Sequence, residues 1–281
     1  MMLTTLKKVV TEAQKGGYAV GAFNIENMEM AQAVIAAAEE MRSPVIMQTT
    51  PSTLKYATPE LYFANVRALA EAADIPVVMH LDHGNSFALA ARAMRAGYTS
   101  IMIDGSQQSL EENIALTKSV VAMCGPAGVS VEAELGCVGG KEDDLVGENM
   151  YTDPETAARF AEETGIDALA VAIGTAHGVY KETPKLDIDR LAKIHELVSI
   201  PLVLHGTSGV EDEMVKKCVE RGICKVNYAT DLRIAFTKGV KEVLEENPNV
   251  FDPKKYNAKG REYVKKYVMD KMAVCGSAGK A

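Results

Sequence analysis

Eight short apolar runs, each followed by a turn signal and then a helical pattern of alanine, glutamate, lysine and leucine, predict a (β/α)8 barrel with extra C-terminal helices. Two further observations agree. The 281 residues suit a single barrel domain spanning 1–281. Polar and ionisable residues collect where the runs end, as they do when every strand opens onto one face of a barrel. An open doubly wound sheet is the weaker alternative. No G-x-G-x-x-G follows the first run, and no Pro-, Gly- or Ser-rich linker divides the chain.

The first strand candidate is YAVGAFN (18–24), ending at Asn24; the helical pattern EMAQAVIAAAEEM comes next. PVIMQT (44–49) runs into Thr49 and Thr50 and precedes ELYFANVRALAEAA. PVVMHL (76–81) leads directly to Asp82 and His83, and TSIMID (99–104) ends on Asp104 ahead of SLEENIALTKSVVAMC. VSVEAEL (129–135) carries Glu132 and Glu134. The helix DPETAARFAEET starts after Thr152 and Asp153 with Pro154 in its first turn, where the missing N–H is no loss. ALAVAIG (168–174) leads to His177, PLVLHG (201–206) contains His205, and CKVNYA (224–229) places Asn227 and Thr230 at the last strand end. DIDRLAKIHELV and EDEMVKKCVERG are the intervening helices. The segment from Asp231 to Gly276 is long, charged and helical, more than closing a barrel requires, and is expected to dock on a partner subunit.

Composition narrows the class. At 47% hydrophobic the chain has ample material for a core. Its five cysteines are odd in number and form no C-x-x-C pair, which argues against a disulfide framework or a thiolate zinc cage and suits a reducing cytosol. The first residues read as an amphipathic helix rather than a leader, and no apolar run is long enough to span a bilayer; a cytoplasmic protein with no membrane partner is expected. A net charge of −8 argues against a broad nucleic-acid surface but leaves room for an anionic small molecule at a loop or helix N-terminus.

Three of the five histidines, His83, His177 and His205, fall at three separate strand ends. Three neutral imidazoles with an open fourth position form a catalytic zinc site, the competing reading being unrelated histidines satisfied by backbone carbonyls. Glu134 and Asp104 are expected near the metal, as alternative ligands or as groups that orient ligands. His80 either supports a ligand from behind or packs, whereas His195 sits mid-helix and reads as structural. Asp82, beside a candidate ligand, is placed to exchange a proton with a substrate oxygen; a salt bridge is the alternative. HGTSGV (205–210) and VNYATD (226–231) follow the seventh and eighth strands, where barrels commonly hold a phosphate. Gly206, Thr207, Ser208, Asn227 and Thr230 are candidate contacts, with Asn24 at the end of the first strand and Thr50 after the second. GCVGGKEDDLVGE (136–148) reads as a glycine-hinged acidic loop, with Glu142 the candidate base it would carry into a closed site.

Taken together, HLDHG, MIDGS, VEAELGCVGGKEDD, GTAHGVY, VLHGTSG and KVNYATD resemble the class II, zinc-dependent ketose-bisphosphate aldolases over nearly the whole chain. The resemblance implies a TIM barrel that reversibly cleaves a ketose 1,6-bisphosphate into dihydroxyacetone phosphate and glyceraldehyde 3-phosphate. It implies Zn2+ on His83, His177 and His205, with Glu134 joining in some states, stabilising the enediolate left by C3–C4 cleavage. It further implies Asp82 as proton donor to the aldehyde oxygen, Glu142 as the base at C3, and Gly178, Gly206 to Ser208 and Asn227 to Thr230 (with Tyr228 and Ala229) around dihydroxyacetone phosphate. A monovalent cation (Na+ or K+) near that phosphate and a homo-oligomer, dimer or tetramer, are also implied. AVAIGTAHGVY, QTTPST, GICKVN and NYAT resemble the tagatose-type branch; many fructose-type enzymes have Asn or Asp where Ala229 stands. Tagatose 1,6-bisphosphate is therefore favoured and fructose 1,6-bisphosphate is the alternative. Arg261 matches a basic residue that fructose-type enzymes use for the distal phosphate, often across a dimer. A non-catalytic phosphosugar-binding barrel and a barrel metallohydrolase are remoter readings. A Schiff-base aldolase would need a strand lysine such as Lys225.

Overall fold

The computed structural model describes residues 3–142, 145–147, 150–178 and 184–281, though not the side chains of 140–142 and 145–147. Eight parallel strands close a barrel: β1 (Val20–Asn24), β2 (Val45–Thr49), β3 (Val77–Gly84), β4 (Ser100–Ile103), β5 (Ser130–Leu135), β8 (Ala168–Val171), β10 (Leu202–Leu204) and β11 (Ile223–Tyr228). Between β5 and β10 lie three short strands, β6 (Gly139–Glu142), β7 (Leu145–Gly147) and β9 (Ala176–His177), which form a separate sheet in the order β7-β6-β9. The stretch read as a glycine-hinged loop therefore contains two antiparallel strands, and the first of them pairs in parallel with the strand bearing His177.

The helices are α1 (Leu6–Gly16), α2 (Met28–Met41), α3 (Pro51–Tyr56), α4 (Pro59–Ala72), α5 (Phe87–Ala96), α6 (Leu110–Cys124), α7 (Pro154–Thr164), α8 (Ile188–Leu197), α9 (Asp212–Glu220), α10 (Thr230–Glu246) and α11 (Pro253–Cys275). Most open on a side-chain cap, such as Ser109 of α6, whose hydroxyl accepts from Glu112 N while Glu112 reaches back in a capping box. The extra C-terminal helices are α10 and α11, with α11 packed on α2 as well as α10. No helix among the described residues is long and apolar enough to cross a membrane, and all five cysteines are buried and free.

Alternation along the strands separates two apolar layers. Residues pointing outward, such as Phe23, Met47, Met79, Ile101 and Leu169, join the large core beneath the helices. Residues pointing inward at the N-terminal end of the barrel, Val20, Ala22, Ile46, Val78, Ala168, Ala170 and Val203, form a second core that α1 plugs with Leu6, Val9, Val10 and Ala13. Burying each of those larger aliphatic side chains contributes about 1.5–3 kcal/mol. The closed bottom forces any ligand to enter from the strands' C-terminal ends.

Candidate active site at the barrel mouth

β3 sets the geometry. Strict alternation would send Asp82 and His83 to opposite faces, but the register with β4 shifts between Leu81 and Gly84, and His83 adopts φ 48°. A left-handed backbone at a histidine is sparsely populated and costs of order 1–3 kcal/mol, so the surrounding packing holds it there. The bulge lets both side chains serve the mouth. Gly84 is required next to it, because a Cβ would come within 2.5 Å of the Met102 carbonyl oxygen.

His83, His177 and His205, the sequence-predicted trio, converge. Their ring centroids stand 4.7 Å (His83–His205), 5.0 Å (His83–His177) and 6.1 Å (His177–His205) apart. One ligand atom from each lies within 4.8 Å of the others, and a second group, His83, Asp104 and Glu134, satisfies the same limit. Gly206 makes the approach of His177 possible: at φ 64°, a Cβ there would stand 2.7 Å from backbone atoms of Ala176.

Carboxylates orient the rings. Asp104 Oδ2 lies 2.8 Å from His83 Nδ1, which directs Nε2 of that ring into the site, and Asp104 Oδ1 accepts from Ser106 N at 3.0 Å. Burial would raise the Asp104 carboxyl, but the hydrogen bonds from His83 and Ser106 hold it well below the usual carboxylate range. His205 is flanked on both nitrogens, with Nε2 3.0 Å from Glu132 Oε1 and Nδ1 3.2 Å from Glu134 Oε2. Burial disfavours its charge, yet the two carboxylates outweigh burial and raise its pKa. The Nδ1 contact is poorly aligned; neither His205 Nδ1 nor Glu134 Oε2 completes a hydrogen bond although both are buried. Three imidazoles plus a buried carboxylate oxygen facing one of them form a donor set that fits a divalent transition metal such as zinc.

Asp82 is held by three amides. Its Oδ2 accepts from Asn24 Nδ2 and Gln48 Nε2, both at 3.1 Å, and its Oδ1 accepts from Asn227 Nδ2 at 3.0 Å. Gln48 also donates to Asn24 Oδ1 at 2.7 Å, so the amide orientations are mutually fixed. Gln48 was absent from the sequence-derived candidates. Its signal was available, since Ile46 faces the barrel interior and alternation carries Gln48 to the same side.

A cavity of about 50 Å³ adjoins this cluster, lined by Asn24, His177, Gly178, Gly206, Thr207, Ser208, Asn227, Ala229, Thr230 and Arg233. Thr207 Oγ1 donates to the Asn227 carbonyl, and Ser208 Oγ accepts from Asp231 N at 3.4 Å. Unlike most helices here, α10 has no side-chain cap, because Ala229 stands at that position. Arg233, also missed from sequence, reaches this cavity one turn into α10 while Glu26 holds its guanidinium at 2.6–2.7 Å. A larger groove of about 950 Å³ runs along α10 and meets the first only at Thr230 and Arg233. It lies away from the histidines, so the smaller cavity is the chemically relevant one.

Several candidates fall elsewhere. The Tyr228 ring is not at the site: it stacks on Phe23 with centroids 5.5 Å apart and meets Tyr267 edge-on, because a strand that turns Asn227 inward turns the next residue outward. Arg261 is exposed on α11 and does not line the cavity of its own chain. Thr50 is buried and caps α3, its hydroxyl accepting from Thr53 N. Glu142 ends β6 with its backbone, while its side chain, like Asp143 and Asp144, lies outside the described residues. Lys225 is fully buried with Nζ 3.0 and 2.9 Å from the two oxygens of Glu132, a poor setting for a Schiff-base nucleophile. His195 lies on the exposed side of α8.

Comparison with known proteins follows the same direction. The family of class-II fructose-bisphosphate aldolases matches residues 4–280. The crystal structure of the YdjI aldolase from Escherichia coli K12 is 38% identical, with a TM-score of 0.90 over 100% of both chains. A protein from Coccidioides immitis described as a candidate fructose-1,6-bisphosphate aldolase is 33% identical, with a TM-score of 0.89 over 98% of this chain and 97% of that one. Fructose-bisphosphate aldolase from Campylobacter jejuni is 26% identical, with a TM-score of 0.86 over 99% of this chain and 97% of that one.

Proposed function

The chain belongs to the class-II fructose-bisphosphate aldolase family, and on that premise we propose that it is a zinc-dependent aldolase acting as one barrel over 1–281. Its proposed reaction is reversible cleavage of a ketose 1,6-bisphosphate, tagatose 1,6-bisphosphate before fructose 1,6-bisphosphate, into dihydroxyacetone phosphate and glyceraldehyde 3-phosphate. The observation that carries this is the meeting of three imidazoles, with ligand atoms within 4.8 Å of one another, beside a carboxylate gripped by three amides.

His83, His177 and His205 would hold the metal, with Glu134 as an added ligand and Asp104 fixing His83. Bound there, Zn2+ supplies Lewis acidity toward negative charge developing on substrate oxygens as the C3–C4 bond breaks. Asp82 exchanges the proton of the C4 hydroxyl, and its amide clamp aims one carboxylate edge at that oxygen. Glu142 exchanges the proton at C3; the pairing of β6 with β9 at Gly140 and His177 brings its backbone alongside the metal-ligand strand. One phosphate sits on Gly178, Gly206, Thr207, Ser208 and the uncapped N-terminus of α10, where backbone N–H groups and the helix dipole favour an anion. A monovalent cation beside that phosphate belongs to the same reading. Arg233, which lines the same cavity, is suited to that phosphate, and Arg261 from another copy of a dimer or tetramer to the distal one.

The preference for tagatose rests on the resemblance of AVAIGTAHGVY, QTTPST, GICKVN and NYAT, with Ala229 lining the cavity, to the tagatose-type branch. The two sugars differ only at C4, so discrimination comes from a few hydrogen bonds. Side-by-side cleavage assays with both bisphosphates test it: faster turnover of tagatose 1,6-bisphosphate is expected, and a strong preference for the fructose isomer assigns the alternative. Cleavage of neither, with phosphosugar binding intact, would leave a binding protein.

A further inference from the structure

A barrel interior is ordinarily filled with branched aliphatic side chains. In the layer directly beneath the histidines this barrel instead buries His80, Ser100, Glu132 and Lys225, each 0% exposed and none lining the cavity at the mouth. Such a layer carries a desolvation cost that an apolar filling would avoid. Its residues bind one another, and one contact leads up to the site. Lys225 Nζ grips both oxygens of Glu132 at 3.0 and 2.9 Å, and the same Oε1 stands 3.0 Å from His205 Nε2. Behind it, His80 is pinned through Nδ1 to Ser100 Oγ at 2.7 Å, with Nε2 3.6 Å from Glu132 Oε2.

We infer that the buried Lys225–Glu132 pair is a positioning device that fixes the tautomer of His205. An ionised carboxylate only accepts hydrogen bonds, so Nε2 of His205 must carry the proton on the side facing Glu132. The Nδ1 lone pair is then committed to the opposite side, toward Glu134 and the other two histidines. Lys225 does not touch His205; it holds the carboxylate in the orientation that makes this assignment. The inference rests on the metal-dependent reading above and adds to it two residues that contact neither substrate nor metal.

The two partners are tested as a pair, since removing the lysine alone strands a buried carboxylate. The variant Glu132→Leu with Lys225→Met fills the layer with apolar atoms and removes the acceptor. The variant Glu132→Gln with Lys225→Met is equally uncharged but keeps a carbonyl oxygen for His205 Nε2–H and offers an amide N–H to His80. Zinc affinity, measured by competition with a chromophoric chelator, is expected to fall about 10- to 100-fold in the first variant. The second is expected to recover most of that loss, with thermal melts showing both folded. Nitrogen-15 NMR of the zinc-loaded wild-type protein is expected to show the His205 proton on Nε2. Equal zinc affinities for the two variants, or a His205 proton on Nδ1, would overturn the inference. Wild-type protein that binds no zinc would instead remove the metal-dependent reading, a distinct outcome, and the NMR assignment stands as a test even if a variant does not fold.

Discussion

The two ends of the barrel interior are built by the same strands under the same alternation, yet they differ in kind. Along β3, Val78 lies in the apolar bottom beneath α1, His80 in the buried polar layer, and Asp82 at the mouth. β1 climbs from Val20 through Ala22 to Asn24, and β2 from Ile46 to Gln48. Polarity therefore rises with height rather than by strand. The bottom can be sealed with dispersion and hydrophobic burial because nothing has to enter there. The mouth carries desolvated carboxylates, a left-handed His83 and imperfectly paired polar atoms, which weaken the fold and equip it for chemistry.

That contrast can be broken by substitution at either end. Asp82→Ala should lower kcat/KM for aldol cleavage about 10²–10⁴-fold while leaving the thermal midpoint unchanged or slightly higher; wild-type turnover would remove Asp82 from its proposed role. At the bottom the pattern should invert. Ile46→Ala is expected to destabilise by about 2–5 kcal/mol in denaturant melts, with kcat per folded molecule preserved. A large loss of kcat with unchanged stability would show that the two ends are not separable. Gly206→Ala, at the mouth, should change stability and metal binding together: the positive φ and the collision with Ala176 should cost about 1–3 kcal/mol and also weaken zinc binding by shifting His177. Unaltered zinc affinity in that variant would mean that β9 accommodates the methyl group without moving its histidine. The smallest effect belongs to neither end. Ser109→Ala, on the outer ring, should cost about 1 kcal/mol in stability through the lost capping box and leave cleavage untouched.

Much of this was legible in the sequence because the eight barrel strands are apolar runs with strong punctuation, and local pattern is what periodicity reads. The same pattern marks the three histidines, each of which comes shortly after an apolar run. What escaped was non-local. The sheet of β6, β7 and β9 exists through pairing between two loops, which no window of sequence contains. β3 continues to Gly84 rather than stopping at Leu81 because a bulge absorbs the break in alternation at His83. The motif resemblance brings Tyr228 to the site as part of its segment, whereas the inward Asn227 before it turns the ring outward. Gln48 and Arg233 escape the strand-end pattern because one lies a step below the mouth and the other a turn into α10.

In the proposed reaction His83, His177 and His205 hold the metal on which cleavage depends. The most direct test is to strip the protein with a chelator and titrate zinc back while recording both bound metal and ketose-bisphosphate cleavage. The expected result is no cleavage without metal and a return of activity that saturates at about one zinc per chain, the stoichiometry of a single three-histidine site. Full activity in the metal-free protein, or zinc binding undiminished when the three histidines are replaced by alanine, would contradict it.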